Sequence, residues 1–191
     1  MERTLHRELA SDIVIVGGGL GGVSAALAAT RLGARVILVE ELDWLGGQLT
    51  AQAVPPDEHP WIESVSGSES YAAFRRAIRD YYRRHLPLTA TARAQLRLNP
   101  GQGNVSTLCH EPWVAAKVID EQLAPLEAAG SLKVLRRHQL VAVHSQGDLV
   151  QGVQVRDLET GNTIELGARL FIDATEIGDF IDMAGDEHVI G

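Results

Sequence analysis

Six residues, Gly17-Gly18-Gly19-Leu20-Gly21-Gly22, separate a short β-branched run from a run of small residues, and they restrict this chain more than any other segment. The run before them, Asp12–Val16 (DIVIV), has the unbroken apolar character of a strand covered on both faces. The run after them, VSAALAATRL, reads as a helix of small residues, with Gly33 placed at its C-terminal cap. Arg35–Val39 (RVILV) is a second buried-type strand that ends in Glu40 and Glu41. Together these segments predict a strand–helix–strand unit with parallel strands.

The glycines fall in the pattern G-x-G-x-x-G at Gly17, Gly19 and Gly22. The first permits a tight turn out of the strand. The second lets a pyrophosphate approach bare backbone, and the third lets the helix pack closely on the sheet. A helix that starts at such a turn points unpaired N–H groups and a partial positive charge at the phosphates. Glu40, 18 residues beyond Gly22, is placed to accept hydrogen bonds from ribose hydroxyls and to repel a 2′-phosphate, which disfavours NADP. These features predict a bound dinucleotide, but alone they do not separate NAD from FAD.

Beyond residue 50 the pattern changes. Residues 51–68, rich in Pro, Ser, Gly and acids, read as a loop, and Ser66 with Glu69 reads as a capping box opening a helix over Glu69–His85. Tyr71, Phe74, Ile78 and Tyr81 form its apolar stripe. A second helix is expected over Pro112–Ala129, kinked or shortened by Pro125. From Leu132 come short strand patterns (LKVLR, QLVAVHS, LVQGVQVRD, NTIEL) that suggest a β-meander. Leu170–Ala174 is expected to return to the parallel sheet.

Composition narrows the function classes. The 191 residues carry 17 basic and 25 acidic side chains, a net charge of -8, which argues against general binding to nucleic acid or anionic membranes. The single Cys109 excludes an intramolecular disulfide and any CxxC metal site. Residues 1–11 read as a short polar leader, the apolar runs are too short to span a bilayer, and the expected location is the cytoplasm.

Leu45-Gly46-Gly47-Gln48-Leu49-Thr50 places a second glycine pair where an NAD domain usually enters its next helix. DIVIVGGGLGGVSAALAATRLGARVILVEE followed by LGGQLT resembles the N-terminus of FAD-dependent oxidoreductases of the glutathione-reductase-like superfamily, and within it the FAD-oxidored type. The segment Phe171–Asp179 (FIDATEIGD) is similar to that family's returning strand, which ends Ala-Thr-Gly or, in this branch, Asp-Ala-Thr-x-x-Gly-Asp, and Glu176 stands at the glycine of the first pattern. The resemblance implies FAD as cofactor. It places Gly17, Gly18, Gly19, Leu20 and Gly22 around the pyrophosphate, Glu40 on the adenosine ribose and Glu41 beside the adenine. It further implies Gly47 and Gln48 along the ribose–pyrophosphate stretch, a backbone contact of Val141 with adenine, and Thr175 near the cofactor. Family members run to more than twice this length. The chain is therefore expected to be the FAD-binding part of a larger enzyme, or one chain of a split one, holding FAD weakly or not at all without the remainder.

Other features have plainer readings. Cys109-His110-Glu111 are sequence neighbours that point apart, so they read as structural rather than as a nucleophile and base. Asp57-Glu58-His59 reads as a polar loop, and Arg75, Arg76, Arg79, Arg83 and Arg84 as a solvated face or ion pairs with the acidic remainder. The expected fold is α/β: a Rossmann-like, mostly parallel sheet with flanking helices, a helical insertion over residues 51–130 and a small antiparallel meander over 131–168. The expected function is flavin-dependent hydride or electron transfer with an unidentified small molecule, with no catalytic residue assigned. Two alternatives stay open: an NAD-binding dehydrogenase domain, and a non-catalytic cofactor-binding module that pairs with another chain.

Overall fold

The computed structural model describes residues 7–65 and 67–189. The chain divides into two units, Met1–Leu45 with Leu123–Gly191, and Gly46–Gln122.

The first unit holds two four-stranded sheets. One has the order β4-β3-β2-β8 and is wholly parallel: β2 (Ile13–Val16), β3 (Val36–Glu40), β4 (Leu132–Arg136) and β8 (Leu170–Asp173). The other, in the order β1-β7-β6-β5, is mixed. Its strands β5 (His138–Gln146), β6 (Leu149–Asp157) and β7 (Thr163–Gly167) form an antiparallel meander, and β1 (Arg7–Ala10) joins β7 in parallel. Two expectations change here. Residues 7–10, read as leader, are a strand, while residues 1–6 lie outside the described part. LKVLR, read with the meander, pairs instead with β3. Its mixed burial suits an edge strand as well as a meander strand, so the pattern alone did not fix its partner.

Strand alternation sorts the core. Val14, Val16, Ile37 and Val39 form one cluster with Leu140, Val153, Val155 and Leu166 of the meander and with Phe180. Ile15, Val36 and Leu38, buried on the opposite face, lie on the side away from this cluster, and helix α1 (Leu20–Arg31) packs on β2 and β3. A strand sandwiched this way buries every residue, which is why DIVIV and RVILV read as continuous apolar runs.

Gly21 and Gly22 show how specific the glycine turn is. A Cβ on Gly22 would lie 1.9 Å from the Gly17 carbonyl oxygen, whereas a Cβ on Gly21 would meet nothing within 4 Å. Gly21 is exposed in the first turn of α1 and has no positive φ, so Gly21→Ala is expected to stabilise the protein by about 0.5 kcal/mol, because alanine loses less backbone entropy. A urea-denaturation midpoint that rises by that amount is the check.

The second unit is helical, with a single 3₁₀ turn (Gly47–Leu49), α2 (Glu69–His85), α3 (Ala90–Ala94) and the first part of α4 (Pro112–Ala128). Ser66 lies outside the described residues. The N-cap of α2 is Ser68, whose hydroxyl accepts from the Tyr71 N–H at 3.2 Å. Pro125 does not shorten α4, which runs on to Ala128. This near its end the proline costs one backbone hydrogen bond, while Val114, Val118, Ile119 and Leu123 of the same helix are fully buried.

The arginines of α2 split between two roles. Arg76 and Arg84 are exposed, while Arg75 and Arg79 are buried and held by acids from the preceding loop. Arg75 binds Glu58 and Glu63, and Arg79 binds Glu63 and the Leu98 carbonyl. Glu58, read as part of a polar loop, also accepts from the Tyr71 hydroxyl. The ion-pair reading therefore holds for Arg75 and Arg79, and the solvated one does not.

Candidate functional site

The glycine turn leaves β2 at Gly17, whose φ of 104° is open to glycine and strained for any other residue. Its N–H donates to the Val39 carbonyl at 2.9 Å, which ties the turn to β3. A Cβ there would lie 2.1 Å from the Ala174 carbonyl oxygen, so the end of β8 passes directly against the turn. Gly18 donates its N–H to Glu40 Oε2 at 2.8 Å, and the other carboxylate oxygen accepts from the Leu42 N–H at 2.8 Å. Glu40 is 8% exposed, and burial raises its pKa above the ordinary value of 4.5, opposed by the N–H groups of Leu42 and Gly18. Each carboxylate oxygen has a second lone pair, so Glu40 can brace the turn and still accept from a sugar hydroxyl.

Gly19 is the N-cap of α1, with no side-chain cap and no acidic residue in the first helical turn. The N–H groups of that turn and the helix dipole therefore face outward unneutralised by the helix itself. A Cβ added to Gly19 would meet one atom within 4 Å, Glu176 Oε1 at 3.2 Å. The outer side of the turn is otherwise clear, as close approach of a pyrophosphate requires.

The returning segment is organised by Asp173, which sequence reading did not single out. Its Oδ1 accepts from the Thr175 N–H (2.9 Å) and hydroxyl (2.7 Å), and its Oδ2 accepts from the Ile181 N–H at 3.1 Å. The Thr175 hydroxyl in turn accepts from the Asp179 N–H at 2.9 Å. The Asp-x-Thr spacing carries that signal, since both side chains hydrogen-bond readily to nearby backbone. Thr175 is thus a brace of this loop, and the loop brings Ala174 against Gly17 and Glu176 against Gly19.

Arg137, also missed, adopts φ 55° without being glycine. Its N–H donates to the Leu42 carbonyl (3.4 Å) and its carbonyl accepts from the Leu158 N–H (2.8 Å). Its guanidinium stands 3.3 Å from Asp43 and 3.4 Å from Glu159. It joins the segment after Glu41 to the meander, at a backbone cost of order 1 kcal/mol. Nothing in the sequence marks the position.

The remaining expected residues are placed as follows. Leu20 opens α1, and Glu41 is exposed immediately after β3. Val141 is the extra residue where the β5–β6 register shifts between Leu140 and Ala142, a bulge that takes it out of the regular ladder. Gly47 and Gln48 belong to the second unit, in its 3₁₀ turn. Gly46, at φ 106°, is needed inside that unit itself, because a Cβ would lie 2.6 Å from Ile119 Cδ1. Cys109, His110 and Glu111 do not form a relay. The thiol approaches the Ser106 carbonyl, the imidazole Nδ1 faces the Glu111 carbonyl, and the Glu111 carboxylate accepts from the Tyr82 hydroxyl. Burial lowers the His110 pKa. Among the described residues no helix is long and apolar enough to cross a membrane, and no cluster of three or more His, Cys, Asp or Glu could hold a metal.

The chain is similar to several known proteins. A thiamine thiazole synthase of Aeropyrum pernix is 44% identical over 46 residues, 24% of this chain and 17% of that protein. A bilirubin reductase of Mediterraneibacter gnavus is 33% identical over 102 residues, 51% of this chain and 14% of that one. This chain thus spans a small part of the length of the curated relatives it matches. The crystal structure of a geranylgeranyl bacteriochlorophyll reductase-like protein from Thermoplasma acidophilum shares the fold at a TM-score of 0.56 and 18% identity, covering 96% of this chain and 44% of that one. The family profile described as FAD dependent oxidoreductase matches residues 12–191. With nearly its whole length accounted for by that match, the chain belongs to the FAD dependent oxidoreductase family, and its cofactor is FAD.

Proposed function

We propose that this chain holds the adenosine diphosphate half of FAD in an enzyme that moves hydride or electrons to or from a small molecule. The observation that carries the reading is the convergence of three strand ends. The turn after β2, Glu40 at the end of β3 and Ala174-Thr175 after β8 meet at one place, with Gly19 open toward solvent. In open parallel sheets that edge is where such ligands bind. Gly17, Gly18, Gly19, Leu20 and Gly22 line the pyrophosphate, and the first-turn N–H groups of α1 supply its hydrogen bonds. Glu40 takes the ribose hydroxyls, Glu41 flanks the adenine and Val141 offers it backbone. Thr175 approaches the cofactor where β8 ends.

When bound, FAD supplies a redox-active ring, and the protein supplies position and electrostatics. The substrate is a small molecule, and a further C-terminal portion or a partner chain completes the flavin and substrate sites. A cytoplasmic setting fits the single unpaired cysteine.

The test uses ADP, which carries the part of the cofactor that these residues address, beside its 2′-phosphorylated counterpart and FAD. Calorimetry on the protein carrying the portion or partner chain that completes the flavin site is expected to show binding of ADP and FAD, and rejection of the 2′-phosphate. Glu40→Gln is expected to weaken ADP about tenfold, the worth of a charge-assisted hydrogen bond, and to narrow the discrimination against the 2′-phosphate. An unchanged ratio between the two nucleotides would remove Glu40 from the ribose. Visible flavin absorption that bleaches with an electron-donating substrate, in the protein carrying its C-terminal portion, separates an enzyme from a binding module.

A further inference from the structure

The Glu176 carboxylate is the one group of the described chain close to the open side of Gly19, 3.2 Å from the position of a Cβ. The backbone that presents it is fixed. Asp173 holds Thr175 through two hydrogen bonds, and Ala174 is packed on Gly17. The side chain is exposed, and no hydrogen bond or ion pair ties it to a described residue. Since α1 has neither a side-chain cap nor an acid in its own first turn, this carboxylate, which accepts no N–H of the turn, is the negative charge placed beside its N-cap.

We infer that Glu176 sets the affinity of the turn for diphosphate by occupying the same electrostatic position, so that the cofactor's pyrophosphate must displace it to bind. The inference rests on the reading of the turn as the pyrophosphate seat. Two like-charged groups cannot share one helix terminus without repulsion, and here the protein's own charge sits on an exposed side chain beside that terminus. Glu176 is therefore a selectivity residue for the cofactor's charged part and has no bearing on its adenosine.

The experiment compares the parent with Glu176→Gln, both carrying the portion or partner chain that completes the flavin site, using ADP, FAD and adenosine as probes in calorimetric titrations at low and high salt. Glu176→Gln removes the charge, keeps the shape and lies on an exposed side chain, so the fold is retained. At low salt it is expected to tighten ADP and FAD by about five- to tenfold, the scale of one charge repelling another at partly solvated distance. Adenosine is expected to bind equally to both proteins. High salt is expected to close the gap for ADP by screening. Unchanged ADP affinity with normal binding in both proteins overturns the inference and leaves the pyrophosphate reading standing, as does an equal change for ADP and adenosine. Failure of ADP and FAD to bind either protein overturns the pyrophosphate reading and the inference with it.

Discussion

Gly17→Ala is expected to cost about 3–5 kcal/mol and to abolish binding of ADP and FAD together. Two penalties combine at this position. A side chain at φ 104° is strained wherever it points, and the Cβ would overlap the Ala174 carbonyl at 2.1 Å and the Thr175 nitrogen at 2.7 Å. Both obstacles are backbone, so no rotamer relieves them. The turn must pull away from β8, which endangers the Gly17 N–H bond to Val39 and the Ala174 N–H bond to Val16. For a chain of this length the change corresponds to a fall in Tm of roughly 10 °C, readable by calorimetry. Gly21→Ala, four residues away, is the matched control with the opposite sign. A Gly17→Ala protein that melts with the parent would mean that the turn and β8 are not packed as described.

Arg75→Ala is expected to destabilise by a similar amount, about 3–5 kcal/mol, without touching the glycine turn. Arg75 is 3% exposed and holds Glu58 and Glu63, with Thr107 Oγ1 at 3.1 Å, so its removal strands acids in a poorly solvated place. Adding Glu58→Gln to Arg75→Ala is expected to recover part of the loss, because one stranded charge goes with it. The same network predicts a pH signature. Burial raises the Glu63 pKa, but the hydrogen bond from Arg79 and the charges of Arg75 and Arg79 outweigh it and hold the group at about 2, against an ordinary 4.5. A depressed carboxyl contributes stability above its unfolded pKa and loses it as pH falls through the folded one. The parent is therefore expected to lose stability between about pH 4.5 and pH 2, and Arg75→Ala to lose less over that window. Urea midpoints across the window read both effects, and parallel curves for the two proteins would argue against Arg75 as the stabilising charge.

What the sequence disclosed and what it withheld divide by range of interaction. DIVIV, the glycine turn, the small-residue helix and RVILV were legible because each is decided by neighbours within a few residues. Leu170–Ala174 was legible as a returning strand because its motif is compact, and the structure pairs it with β2. The partner of LKVLR was not, since a parallel pairing joins residues nearly a hundred positions apart. Arg75 and Arg79 looked like a surface stripe because their acids, Glu58 and Glu63, come from an irregular segment with no period to read. Glu40 was singled out from its spacing, and the structure ties it to the N–H of Gly18. Glu176 drew notice only as a departure from pattern, and its place beside Gly19 depends on a fold-wide closure that no window of sequence contains.

That closure carries a consequence for biosynthesis. Gly17 emerges from the ribosome more than a hundred residues before Ala174 and Thr175, which pack against it. A nascent chain that has grown only as far as β3 possesses the sequence fingerprint without the pocket. The packing of the turn is accordingly completed only after β8 has been made, and until then β2 has an unpaired edge.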